Sequence, residues 1–146
     1  PNSADLTAVV LNNWFKDNNL NLNPRDLDEA NFTNCIIYGS QLTELLLSKT
    51  DGALFNYQFK NCLIKASSAD VNTETSEFKN CVINETPDFI NLNTNNFNIG
   101  TNSHATDKGN ATSINTNLTD LEFDLNNNSR ISDSKPDIGA YEFVPE

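Results

Sequence analysis

The sequence predicts an all-β chain built as a right-handed parallel β-helix, a solenoid of stacked coils closed by an irregular C-terminal cap. Three observations predict it: a short motif repeated without gaps, an abundance of asparagine beside short β-branched runs, and turn-rich acidic blocks towards the C-terminus.

The repeat reads Phe32-Thr33-Asn34-Cys35-Ile36-Ile37-Tyr38, Phe59-Lys60-Asn61-Cys62-Leu63-Ile64-Lys65 and Phe78-Lys79-Asn80-Cys81-Val82-Ile83-Asn84. The copies are 27 and 19 residues apart, and their average of 23 falls within the roughly 20 to 45 residues of a solenoid repeat. Each copy therefore reads as one coil. Stacking coils align equivalent positions, so Phe32, Phe59 and Phe78 form one internal column and Cys35, Cys62 and Cys81 a second. Asn34, Asn61 and Asn80 form a ladder at the bend between two short strands, where asparagine tolerates the left-handed backbone and its amide is expected to bond the coils above and below. A bulge at that bend resets the alternation of sides, so that Phe and Cys, three apart, both point inward. Leu6 to Leu11 reads as a strand of a preceding coil.

Composition agrees with many strands joined by tight turns. Asparagine occurs 26 times, methionine is absent, and glycine and proline number five each. With 37% hydrophobic residues and nine Phe the chain is too apolar for a disordered tract. At 146 residues it is one domain able to bury roughly 70% of its unfolded surface. Its net charge of -11, from 20 acids and 9 bases, repels polyanions and argues against nucleic acid or anionic membranes as partners. No run approaches the roughly 20 apolar residues of a membrane-spanning helix, so direct membrane insertion is not expected. No basic segment followed by an apolar one opens the chain, which places any secretion signal outside it. The start at Pro1, beside a truncated coil, reads as a fragment of a longer protein.

Most catalytic chemistry lacks its residues. One histidine, His104, leaves no room for multi-histidine zinc sites and sits in a turn. No phosphate-cradling glycine motif is present. The three cysteines are odd in number, lack C-x-x-C spacing and are expected to project in parallel rather than converge. They read as small buried packing residues, not as a disulfide or zinc site. Asp124, Asn126 and Asn128 alternate like the start of a calcium loop, but Ser129 and Lys135 stand where that loop has glycine and a bidentate Glu. They are the candidates for a cation, with Asp120, Glu122 or Asp133 beside Asp124, and calcium is the cation such oxygens would take. No cofactor is otherwise expected. Lys60 and Lys79 share one outward repeat position and are the candidate ligand-facing residues, with Lys65 further along its coil. The repeat brings no convergent acids to them, so the groups needed for β-elimination or for paired-carboxylate hydrolysis are not evident. The sequons at Asn31, Asn84, Asn110, Asn117 and Asn127 are what an Asn- and Thr-rich chain yields by chance.

Three further stretches carry a family likeness. Pro87-Asp88-Phe89-Ile90 with Asn96-Phe97-Asn98-Ile99 looks like entry into last coils. Ser103-His104-Ala105-Thr106-Asp107-Lys108-Gly109 is similar to S-P-A-I-D-x-G, with His104 in place of proline. Asp124 to Arg130, then Pro136-Asp137-Ile138-Gly139-Ala140-Tyr141-Glu142-Phe143, is similar to D-x-D-G-x-x-R and D-I-G-A-Y-E, without the second Asp and the Gly of the former. From Phe32 onward the chain resembles the C-terminal part of pectate-lyase-like right-handed parallel β-helix proteins of the secreted and surface type in Bacteroidetes-type bacteria.

The resemblance implies an extracellular or outer-surface location and an architecture of β-helix coils over 1–86, with last coils and a capping segment of the same domain over 87–146. Asp137 to Phe143 would be the last strand or cap over the open end of the stack, tied there by Arg130 pairing with Asp107, Asp137 or Glu142. Because fold does not transfer function, the resemblance leaves three readings. The first is a non-catalytic structural or carbohydrate-binding portion with the lateral coil face as its platform. The second is the C-terminal end of a polysaccharide lyase or glycoside hydrolase whose active site lies outside this chain. The third is a surface subunit docking on a partner protein.

Overall fold

The computed structural model describes residues 7–114, 121–133 and 135–145, and is β-rich with little helix. Leu6, Asn117 and Asp120 lie outside the described residues. Among the described residues no helix is long and apolar enough to cross a membrane.

The three copies of the repeat stack in parallel in the register that the motif dictates. Strands β1 (Val9–Asn12), β2 (Trp14–Lys16) and β3 (Leu22–Pro24) precede them. Each copy then contributes two short strands: β4 (Asn31–Thr33) and β5 (Ile36–Ile37), with β6 (Leu45–Ser48) following; β7 (Gln58–Lys60) and β8 (Leu63–Ile64); β9 (Phe78–Lys79) and β10 (Val82–Ile83). One parallel sheet runs β4-β7-β9 and aligns Phe32 with Phe59 with Phe78, and a second runs β10-β8-β5 and aligns Ile36 with Leu63 with Val82. The early strand is Val9–Asn12, three residues later than expected at its start, and pairs in parallel with β6. An antiparallel β2-β3 hairpin follows it.

Between the two sheets the chain bends at Asn34, Asn61 and Asn80, with φ of 55°, 51° and 54°. This left-handed residue is what lets Phe and Cys face the same side, because the period-2 alternation would otherwise put positions three apart on opposite sides. Phe59, Cys62, Ile64 and Phe78 accordingly share one buried cluster with Ile37 and Leu45. The phenylalanine rings stack with centroids 4.7 and 5.2 Å apart and planes within 14° and 9°. Isolated rings prefer offset or edge-on contact, so this near-parallel arrangement is imposed by the strand spacing of about 4.8 Å.

Beyond Ile83 the described residues make no further parallel pairing. Phe89–Asn91 (β11) and Asn96–Ile99 (β12) pair antiparallel around a 3-10 turn at Leu92–Thr94, so the stretch expected as entry into last coils is a hairpin. A single helical turn at Ala111–Ile114 follows, and 137–143 is irregular rather than a strand. The described C-terminal segment also lies elsewhere than expected. Instead of crossing an end of the stack it runs along its side: Leu63 of β8 is fully buried with Ile99, Ala105 and Ile138, and Ile36 and Val82 join the same cluster. The reason is in the motif. Ile36, Leu63 and Val82 point away from the first core, and an outward column of three aliphatic side chains needs a cover. Leu63 and Ile64 are successive and both fully buried, the mark of a strand covered on both faces.

Candidate functional site

The C-terminal segment is held to the stack by the asparagine ladder. Asn34 donates through Nδ2 to the carbonyl of Asn110 (3.3 Å) and to Ser113 Oγ (3.1 Å), and its Oδ1 accepts the Asn110 N–H (2.6 Å). Asn61 donates to the Lys108 carbonyl (2.8 Å). These amides were expected to bond neighbouring coils. The left-handed bend turns them outward instead, leaving backbone groups to bridge the copies, as in the Asn34 N–H to Lys60 carbonyl and the Asn61 N–H to Lys79 carbonyl.

The blocks that carried the family likeness interlock with one another. The Ile138 N–H donates to Ala105 O, the Gly109 N–H to Pro136 O and the Asp107 N–H to Asp137 Oδ1. A Cβ at Gly109 would lie 2.7 Å from Pro136 O, and one at Gly139, whose φ is 113°, would lie 2.7 Å from Ile36 Cδ1. Both glycines thus mark close approaches that a side chain would prevent.

Arg130, Asp124, Asp137 and Glu142 form the centre of this lock. Of the three partners expected for Arg130, Glu142 is the one it meets, at 2.9 Å, and its other nitrogen donates to Gly139 O at 3.0 Å. Glu142 also accepts the Asp137 N–H, Asp137 accepts the Phe143 N–H, and the Glu142 N–H closes the circuit on Asp124 Oδ2. Burial dominates the titration of Glu142 and lifts it to about 7, with the charges of Asp137 and Asp124 adding to the rise and Arg130 and the Asp137 N–H opposing it. Burial likewise raises Asp137 against its two N–H donors. At Asp124 burial opposes ionisation, but bonds from Glu142, Asn128 and Asn126 outweigh it and hold the carboxyl low.

That geometry bears on the candidate cation loop. Asp124 Oδ1 accepts the N–H groups of Asn126 and Asn128, and Oδ2 accepts Asn128 Nδ2. The alternation of Asp124, Asn126 and Asn128 thus organises a self-bonded turn, and Asn126 Nδ2 reaches Asn98. Among the described residues no group of three or more His, Cys, Asp or Glu is arranged to hold a metal ion.

Lys60 and Lys79 are paired in register on β7 and β9, with Thr33 as the rung before them on β4. Asn31 and Gln58 form an exposed second column on the same strands. The Asn61 clamp holds the backbone of Lys108 beside this face. Lys65 is committed elsewhere, donating to Gly39 O at 2.9 Å and lying over the Tyr38 ring. His104 forms a half-exposed pair with Glu85 at 3.4 Å.

Sequence reasoning missed an apolar cavity of about 630 Å³ between β5 and the C-terminal segment, bordered by Cys35, Tyr38, Phe89, Phe97 and Tyr141. Its walls come from segments as far apart in the chain as Cys35 and Tyr141, and no local pattern announces such a meeting. Two buried polar residues were equally silent. Asn13 exchanges hydrogen bonds with the backbone of Thr50 and donates to Ala53 O, while the Glu44 carboxylate accepts the N–H groups of Ala8 and Gln41. No protein-family model matches the chain, nor does any curated protein or solved structure.

Proposed function

We propose that the chain is a non-catalytic structural and carbohydrate-binding portion of a right-handed parallel β-helix protein, of the pectate-lyase-like type, working outside the cell or on its surface. The observation that carries the reading is the ladder of Thr33, Lys60 and Lys79 beside the exposed amides of Asn31 and Gln58. Parallel rungs about 4.8 Å apart present hydroxyl, amide and ammonium donors in straight columns, a spacing suited to an extended polyhydroxylated chain. The other lateral sheet face is taken up by the C-terminal segment, which leaves this face as the platform. Catalysis is not part of the proposal: the carboxylates Asp124, Asp137 and Glu142 are committed to backbone N–H groups and Arg130. A partner protein docking on the same face is the competing occupant, and calcium remains a cation to include when binding is measured.

The test is retardation of the chain in gels containing neutral or acidic polysaccharides, with calcium or with chelator, followed by an assay for new chain ends. Retardation that falls several-fold in Lys60→Gln and Lys79→Gln, without new ends, is the expected result. No retardation in any gel would favour the protein-docking reading, and new chain ends would overturn the non-catalytic one.

A further inference from the structure

The cysteine column is not spent by packing alone. Cys35, Cys62 and Cys81 occupy one repeat position, each immediately before one of the adjacent parallel strands β5, β8 and β10, whose first residues pair in register as Ile36–Leu63 and Leu63–Val82. All three are free thiols; Cys62 is fully buried, and Cys35 and Cys81 are partly exposed. Cys62 stands between Cys35 and Cys81 in the column, and each sulfur donates to a carbonyl of its own copy, Thr33 O, Lys60 O and Lys79 O. Cys62 Sγ leans on Phe32 O and Cys81 Sγ on Phe59 O, each reaching towards the preceding copy. Neighbouring strands lie about 4.8 Å apart, inside the Cα separation of roughly 4.4 to 6.8 Å that a disulfide spans. Cys35 and Cys81, two strands apart at about 9.6 Å, lie beyond it.

We propose that this column is an oxidisable site that takes a single intrachain disulfide, always through Cys62, with Cys35 and Cys81 as alternative partners. Access comes from the outer thiols, since Cys35 and Cys81 are partly exposed whereas Cys62 is buried. The neighbouring Cys62 thiol lowers the titration of Cys35 and of Cys81 while its own is raised, which makes an outer thiolate the attacker. With a small soluble disulfide as oxidant, an outer thiolate attacks one reagent sulfur and the reagent's S–S bond breaks, releasing one reagent thiol that carries off the proton. Cys62 then gives its proton to the second reagent sulfur as it leaves and closes the protein S–S bond. Two protein thiols are oxidised and one reagent disulfide is reduced to two thiols.

The experiment equilibrates the folded chain with a graded ratio of oxidised to reduced glutathione. Free thiols are then alkylated, the chain is reduced, the released thiols are labelled with a second reagent, and the labelled peptides are mapped by mass spectrometry. One free thiol per chain is expected, with Cys62 in every bridged peptide. Cys35→Ala should keep a Cys62–Cys81 bridge and Cys81→Ala a Cys35–Cys62 bridge, while Cys62→Ala, checked for fold by circular dichroism, should form none. Because the two outer variants change partly exposed positions, they decide the question even if Cys62→Ala fails to fold. Three free thiols at ratios that bridge the urea-unfolded chain, or any Cys35–Cys81 bridge in the folded chain, would overturn the proposal.

Discussion

At the first two bends Asn34 and Asn61 each carry two jobs that are separable by substitution. Asn61 holds φ of 51° and donates to Lys108 O. Alanine tolerates neither, because its Cβ is strained in the left-handed region and it has no amide; glycine restores the backbone but not the clamp. Asn61→Ala should therefore lower stability by about 1–3 kcal/mol and Asn61→Gly by only about 0.5–1.5 kcal/mol, read from urea unfolding midpoints. Equal losses would mean that the backbone conformation is unimportant and that the clamp carries everything. The bend itself was legible in the sequence, since an asparagine recurs at the same place between two short apolar stretches in all three copies. The direction of its amide was not. Which way a side chain turns at a left-handed residue depends on what stands beside it, and the partner of Asn61, Lys108, is 47 residues away, those of Asn34, Asn110 and Ser113, 76 and 79.

At the scale of elements, the register of the two parallel sheets could be read from the motif because each rung repeats the same residue types. The path of 87–143 could not, because it is held by backbone contacts between irregular blocks rather than by a periodic pattern. The candidate residues Asp107, Arg130, Asp137 and Glu142 lie along the side of the stack rather than across its end, and the apolar column that draws the segment there is visible only once Ile36, Leu63 and Val82 are aligned. This lock makes the segment sensitive to protons. Glu142 titrates at about 7 in the folded chain against an ordinary 4.5, so folding favours its protonated form. Its contribution to stability is full below about 4.5 and is lost as pH rises through about 7. Asp137, also raised, acts in the same sense from its ordinary 3.8 upward. Asp124 is lowered, so its contribution is present above 3.8 and is lost only as the pH falls through its depressed value, below this window. Acidifying from about pH 7.5 to about pH 5 should hence raise the unfolding midpoint, and Glu142→Gln, which keeps an acceptor for Arg130, should remove most of that rise. An unchanged pH slope in Glu142→Gln would place the proton elsewhere.

For the molecule as a whole, two cores share one sheet. Ile64 faces the cluster between the parallel sheets and Leu63 faces the cluster beneath the C-terminal segment, so β8 is the common wall. The first core is built from side chains stacked across several strands, whereas the second depends on a segment with little regular structure of its own. Stability that is unevenly distributed in this way should reveal itself as two levels of opening. Ile138, fully buried in the second core, is the place to separate them: Ile138→Ala removes apolar contacts there and leaves the first core untouched, at a cost of about 2–5 kcal/mol. Native-state hydrogen exchange should then show the amides of Gly109, Ile138 and Gly139, which bond Pro136, Ala105 and Asn34, losing protection. The amides of Leu63, Lys65, Val82 and Asn84, which bridge the copies through Cys35, Ile37, Cys62 and Ile64, should keep theirs. If both sets lose protection together and by the same amount, the C-terminal segment and the stack unfold as one unit, and the segment is then as much a part of the folded core as the repeat it covers.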